Sequence, residues 1–187
     1  MQPTTLRALS TAVATAVVLV ALPTSATQAQ SSWDRYKPGT LAAAIRDGDS
    51  TIRNAVTEKR ASGIIDDRPS QHFMGDYYSI RANVTFRGES RPIDSVRRGL
   101  IAEWGLTYMR DSSIASDFHR EYLFQEGEQL LWLPVQDRVA SFFPKELRPG
   151  QRLSIYAMLL GGYYDKGRIT WAFIVNEFRA GPPPLNR

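Results

Sequence analysis

The sequence predicts an α+β fold, mostly antiparallel β, and three observations carry that expectation. Tyr78, Ile80, Ala82, Val84 and Phe86 alternate with Ser79, Arg81, Asn83, Thr85 and Arg87. A period of two with one polar face is the pattern of a half-exposed strand in an antiparallel sheet. Four later segments, 118–125, 129–136, 151–160 and 168–178, read as further strands between turn signals. Two segments with helical apolar spacing, 40–61 and 92–104, flank the first strand.

The first thirty residues stand apart. Arg7 is the only charged side chain before Asp34, and it precedes an apolar run from Ala8 to Leu22, a helix-breaking Pro23 and the small-residue stretch Thr27-Gln28-Ala29. This is the pattern of a secretory signal peptide cleaved after Ala29. The alternative is a retained anchor, for which the run is shorter than the ~20 residues that span a bilayer. The expected plan is a signal peptide at 1–29, a helical segment and loop at 30–76, a β domain at 77–180 and a proline-rich tail at 181–187. The expected location is the periplasm or the exterior.

From Thr40, a plausible N-cap, Leu41, Ala44, Ile45, Ile52 and Val56 keep helical spacing. Asp47-Gly48-Asp49-Ser50 interrupts it, which predicts one kinked helix or two short ones ending near Ala61, stopped by Ser62-Gly63. Residues 64–76, with Asp66, Asp67, Pro69 and Gly75, read as a loop. The first strand, 77–87, ends at Gly88-Glu89-Ser90, and Pro92 is suited to open the second helix. Ile93, Val96, Leu100, Ile101 and Trp104 form one apolar stripe on that helix, with Gly105 as its stop. Asp111-Ser112-Ser113 suggests a loop before the next strand.

Glu126-Gly127-Glu128 marks a hairpin turn, and Pro134 belongs at an edge or a bulge. Residues 137–147 predict a short helix with Val139, Phe142 and Phe143 inward, broken by Pro144. Leu153, Ile155, Ala157 and Leu159 share one face of the fourth strand, with Arg152, Ser154, Tyr156 and Met158 on the other. Ile169, Trp171, Phe173 and Val175 share a face of the fifth, and residues 161–167 read as the loop between them. Gly181-Pro182-Pro183-Pro184 reads as polyproline. Five strands with a helix between the third and fourth match the order of a five-stranded OB-like barrel, here with an N-terminal helix and an inserted helix. A cone-shaped α+β roll is the alternative.

Composition narrows function by exclusion. The 187 residues are 43% apolar and 22% charged, which is globular. A net charge of +4 is small for a nucleic-acid binder. No cysteine is present, so disulfides, thiol chemistry and cysteine-held metals are excluded. His72 and His119 are the only histidines, too few for a histidine-rich metal site. Ser112, Ser113, Asp117 and His119 include the residue types of a serine triad, but no strained elbow or oxyanion signal accompanies them. Asp47-Gly48-Asp49-Ser50 resembles half of a calcium loop, yet Ile52 and Arg53 occupy its middle. Asp66-Asp67 reads as a solvated loop, and the sequon Asn83-Val84-Thr85 lies inside a strand. No catalytic residue, metal ligand or cofactor is assigned.

Two features point to binding. Arg81 and Arg87 share the polar face of the first strand, followed by Arg91, Arg97 and Arg98. A guanidinium on a rigid strand suits carboxylate or phosphate, because its planar fork is bidentate. Tyr163 and Tyr164 fall in the last predicted loop, near Trp132, Tyr156 and Trp171 on neighbouring strands. The sequence therefore predicts an exported, non-catalytic module that docks an envelope protein or an anionic or glycan ligand through Arg81, Arg87, Tyr163 and Tyr164. The alternatives are a small hydrolase or isomerase using carboxylates or His119, and a single-strand nucleic-acid binder, which the export signal and low charge disfavour.

Overall fold

The structure, a computed structural model, describes residues 34–63, 68–74 and 78–181. The segment 1–29 expected to be a signal peptide, the Asp66-Asp67 pair and the expected proline-rich tail from Pro182 lie outside the described residues. The elements in chain order are β1 (Lys37–Pro38), α1 (Leu41–Ala61), β2 (Ser70–Phe73), β3 (Ser79–Pro92), α2 (Ser95–Trp104), β4 (Arg120–Glu126), β5 (Gln129–Val135), α3 (Asp137–Ala140), α4 (Phe143–Glu146), β6 (Arg152–Asp165) and β7 (Arg168–Ala180). This is an α+β arrangement in which seven strands make one mixed sheet.

The strand order is β1-β3-β4-β5-β7-β6-β2, and β3 also pairs with β6, so β3, β4, β5, β7 and β6 form a ring. β3 can serve two neighbours because it is long. Its first half, Ser79 to Thr85, pairs antiparallel with β6, and its second half, Thr85 to Pro92, with β4. The ring closes where β5 meets β7 in parallel, Val135 opposite Val175. All five expected strands form, and the apolar faces predicted for the first, fourth and fifth meet in one core with residues of the second and third. Ala82, Val84 and Phe86, Phe124, Leu133 and Val135, Leu153, Ile155, Ala157 and Leu159, and Phe173 and Val175 are all buried there. Phe143, from α4, enters this core with ring centroids 4.9–5.4 Å from Tyr122, Phe178 and Phe86.

The opposite face of β6 and β7 carries a second core. Leu160, Ala172 and Ile174 pack there with Leu100, Ile101 and Trp104 of α2, and with Ala115 and Phe118. The predicted stripe on α2 is thus its buried face. Thr40 caps α1 as expected, its hydroxyl accepting from the Ala43 N–H at 3.1 Å. Glu126 adds a second cap, since its carboxylate accepts from the Leu41 and Ala42 N–H groups at 2.9 and 2.8 Å. Anionic oxygens are favoured at the free donors and positive dipole end of a helix start.

Several expectations are corrected. Of the two alternatives for α1, the single helix forms: it runs through Asp47-Gly48-Asp49-Ser50 and ends at Ala61 as expected, so those residues do not split it in two. Gly48 is there for close approach, because a Cβ would lie 2.7 Å from the Trp171 ring. Asp49 is paired with Arg53 one helical turn on, at 2.6 Å, and forms no calcium loop. The expected loop at 64–76 contains β2, which pairs with Tyr164 to Gly161 of β6. β6 accordingly continues through the expected 161–167 loop, leaving only Lys166 and Gly167 as the turn. Gly161 permits this, since any Cβ there would run into the His72 carbonyl. Lys166 and Gly167 both have positive φ, 47° and 84°, the conformation of a tight hairpin turn.

β3 passes Gly88-Glu89-Ser90 through a register shift and ends at Pro92. α2 therefore starts later than predicted, capped by Asp94, whose carboxylate accepts from the Val96 and Arg97 N–H groups. Gly105 does not stop it. The backbone stays right-handed into a π-helical turn, Gly105–Met109, and reverses at Arg110, φ 56°. A 3-10 helix, Ser112–Asp117, follows where a loop was expected. Residues 137–147 form two short turns, and Pro144 lies in the first turn of the second one and does not break a helix. Phe142 is exposed, leaving Val139 and Phe143 as the inward pair.

Candidate functional site

The strand register assembles a polar face across β3, β6 and β7. Arg81 lies opposite Tyr156, which lies opposite Glu177. Asn83 lies opposite Ser154, which lies opposite Arg179, and Thr85 lies opposite Arg152. Alternation turns these side chains away from the core, so Arg81, Asn83, Arg87, Arg152 and Arg179 are exposed. Ser154 donates to the Asn83 side-chain oxygen at 2.7 Å, which fixes the polar pair between the arginines. Arg87 reaches Gln125 of β4 at 3.3 Å. Among the described residues, Arg81, Arg152 and Arg179 have no side-chain hydrogen-bond or ion-pair partner.

Two open depressions flank this pair. One, about 490 Å³, is lined by Asn83, Arg152, Ser154, Arg179 and the backbone at Gly181. The other, about 400 Å³, shares Asn83 and Arg152 and adds Thr85, Gln125 and Gly127. Glu177 is the one carboxylate that the register brings to these rows among the described residues, and it accepts from the Phe178 N–H. The face therefore holds several cations against little local negative charge. Among the described residues it presents no exposed aromatic platform: Tyr156 is buried, with Tyr36 packed edge-on against it at 5.4 Å.

The four residues singled out in the sequence do not form one site. Arg81 and Arg87 belong to this face. Tyr163 is in strand β6, partly buried against the second core. Tyr164, on the other face of the strand, lines a cleft with Lys59, Arg60, Arg68, Ser70 and His72. Ser70 and the His72 imidazole are hydrogen-bonded at 2.9 Å. Burial, and then the nearby Lys59 charge, push the His72 imidazole below its usual titration range. The residues that the sequence reading did not assign to a site are Asn83, Arg152, Ser154 and Arg179. Arg152 and Ser154 were legible as a polar strand face, but nothing local said which strand lay alongside.

The remaining candidates are structural. Arg91 and Arg97 bind the buried Glu121 at 2.8 and 3.1 Å, and Arg91 lies over the Trp132 ring at 4.2 Å. Arg98 reaches the Phe118 carbonyl. Trp171 packs against the first core. His119 pairs with Asp137, not Asp117, at 2.5 Å, and its side chain is 63% exposed. Neither Ser112 nor Ser113 hydrogen-bonds it; the Ser113 N–H goes to Asp111. A nucleophile-and-base geometry is not formed by these residues. Comparison of the chain with protein-family models, curated proteins and solved structures gives no match.

Proposed function

We propose that the protein is an exported, non-catalytic binding module whose β3–β6–β7 face docks an anionic glycan of the cell envelope. The observation that carries this is the set of three guanidiniums, Arg81, Arg152 and Arg179, without partners among the described residues, around the Asn83–Ser154 pair on strands in fixed register. Guanidiniums take carboxylate or sulfate bidentately, and an amide beside a hydroxyl suits sugar hydroxyls. Tyr156 and Tyr36, the rings that the described residues bring to this face, are buried and so do not offer the stacking surface that single-stranded nucleic acid uses.

The ring of five strands supports an OB-like barrel as the finer description of the fold. Its order, its parallel closing pair, and α3 and α4 between the third and fourth ring strands all fit that architecture. The export reading rests on the N-terminal pattern alone.

The test is electrophoresis through gels containing polygalacturonate, with neutral dextran gels as the control. The full chain is expected to be retarded only by polygalacturonate. Arg152→Glu combined with Arg179→Glu is expected to weaken retardation by about tenfold, the effect of losing ~1.4 kcal/mol. Equal retardation of wild type and variant, or none of either, contradicts the proposal.

A further inference from the structure

The β3–β6–β7 face has a further cation that comes from outside its three strands. Tyr36 stands just before β1, which runs alongside β3 with Lys37 opposite Ile80 and Pro38 opposite Arg81. From there its ring reaches across the face. It packs edge-on against Tyr156 of β6 at 5.4 Å, and its hydroxyl accepts from the Asn176 side-chain amide of β7 at 3.0 Å. Tyr36 is 7% exposed, so it is a fixed base. Arg35 lies on that base, its guanidinium carbon 5.0 Å from the ring centroid and its Nη2 donating to the Tyr36 hydroxyl at 3.1 Å. A guanidinium carries five N–H donors in a planar fork. Arg35 is exposed and has no carboxylate partner among the described residues, so most of its fork faces solvent.

We propose that Arg35 is a specificity-determining contact of this face, and that the face reads an oligomer rather than a single acidic sugar. One acid group is held at Arg152 and Arg179, and another, farther along the same glycan, at the Tyr36 end, where Arg35 and Arg81 lie. This rests on the anionic-glycan reading of the face. Arg152 precedes Ser154 on β6, and Arg179 lies opposite Ser154 on β7. Tyr156, on which Tyr36 is packed, lies farther along β6, directly between Arg81 and Glu177. At ~3.3 Å per residue, the run from Arg152 to Tyr156 separates the two cationic ends by ~13 Å. One uronic acid does not bridge that span, whereas an oligomer does. Its second contact then forms at the high effective concentration of a tethered group. The Asn83–Ser154 pair lies between the two ends and offers its amide to the intervening sugar hydroxyls. Glu177, at the β7 end of the Tyr156 row, accepts from the Phe178 N–H and pairs with neither Arg35 nor Arg81.

The experiment is calorimetric titration of the full chain with galacturonate dimer and galacturonate hexamer at equal ionic strength. The wild type is expected to bind the hexamer at least about tenfold more tightly than the dimer. Arg35→Gln, at an exposed position, is expected to lower hexamer affinity by about tenfold and to leave dimer affinity unchanged. Arg35→Lys, which keeps the charge, is expected to retain most of the hexamer affinity. A loss shared equally by dimer and hexamer marks a merely structural role and overturns the inference. A hexamer bound no more tightly than the dimer, or an Arg35→Gln variant that matches the wild type, overturns it too. Each of these results leaves the glycan reading of the face standing, whereas a wild type that binds neither ligand overturns both.

Discussion

Glu121 ties three elements together with a charge removed from water. Its side chain is 0% exposed, and one oxygen accepts from Arg91 while the other accepts from Arg97 and the Asp94 N–H. Arg97 also donates to the Trp171 carbonyl at 2.9 Å, so β3, β4, the start of α2 and, through Arg97, β7 share one polar knot. Breaking a buried pair leaves the remaining charges uncompensated. Glu121→Ala is therefore expected to cost about 3–5 kcal/mol in urea unfolding. Arg91→Ala is expected to cost about 1 kcal/mol, since Arg91 is partly solvated and screened. Similar losses for the two variants contradict this account. The sequence marked Arg91 and Arg97 as cations following a strand. It could not show that Glu121 was their partner, because that pairing depends on how β3 and β4 align.

His72 supplies a pH dependence whose sign is fixed. Burial, then Lys59, depress its folded midpoint, so the folded state holds the imidazole neutral where the unfolded chain, titrating near ~6.5, takes up a proton. The stabilising contribution is complete above that unfolded value. It declines as pH falls below ~6.5 and levels off below the folded midpoint. His72→Gln is expected to flatten stability against pH just below 6.5 in urea titrations. An unchanged slope in that window contradicts the assignment to His72.

At the level of elements, two helical glycines have opposite roles. Gly48 in α1 is pressed on Trp171, with a virtual Cβ 2.7 and 2.9 Å from ring carbons and 3.3 Å from Met74. Gly99 in α2 faces open space. Alanine favours a helix interior by about 1 kcal/mol over glycine. Gly99→Ala is thus expected to stabilise by up to about 1 kcal/mol, while Gly48→Ala is expected to destabilise by about 1–3 kcal/mol through overpacking. Thermal melts of the two variants measure both signs, and a stabilised Gly48→Ala removes the close-packing explanation.

Gly48 also shows why part of α1 was misread. A glycine between two aspartates looks like a break when only the local chain is visible, and its actual neighbour is more than a hundred residues away. The strands were more legible. Alternation from Tyr78 to Phe86 and from Leu153 to Leu159 is imposed by the core that each strand faces, so it is written locally. β2 left no such trace. It is a four-residue strand, and its place depends on the close approach that Gly161 allows.

For the molecule as a whole, the ring converts local patterns into a surface. Each strand needs only an inward apolar face to join the core, and the outward residues are then sorted by register. That sorting places Arg81, Asn83, Arg152, Ser154 and Arg179 together and sends Tyr164 to a different cleft. The sequence supplied the arginines of β3, but the neighbours that complete the face come from strands about seventy and a hundred residues later. The central claim is that this face holds an anionic glycan. Amide chemical-shift mapping of the full chain with galacturonate oligosaccharides tests it most directly. The account predicts shifts clustered at residues 81–87, 152–154 and 179–181, saturating together and lost with Arg152→Glu and Arg179→Glu. No saturable shifts, or shifts centred away from β3, β6 and β7, would contradict it.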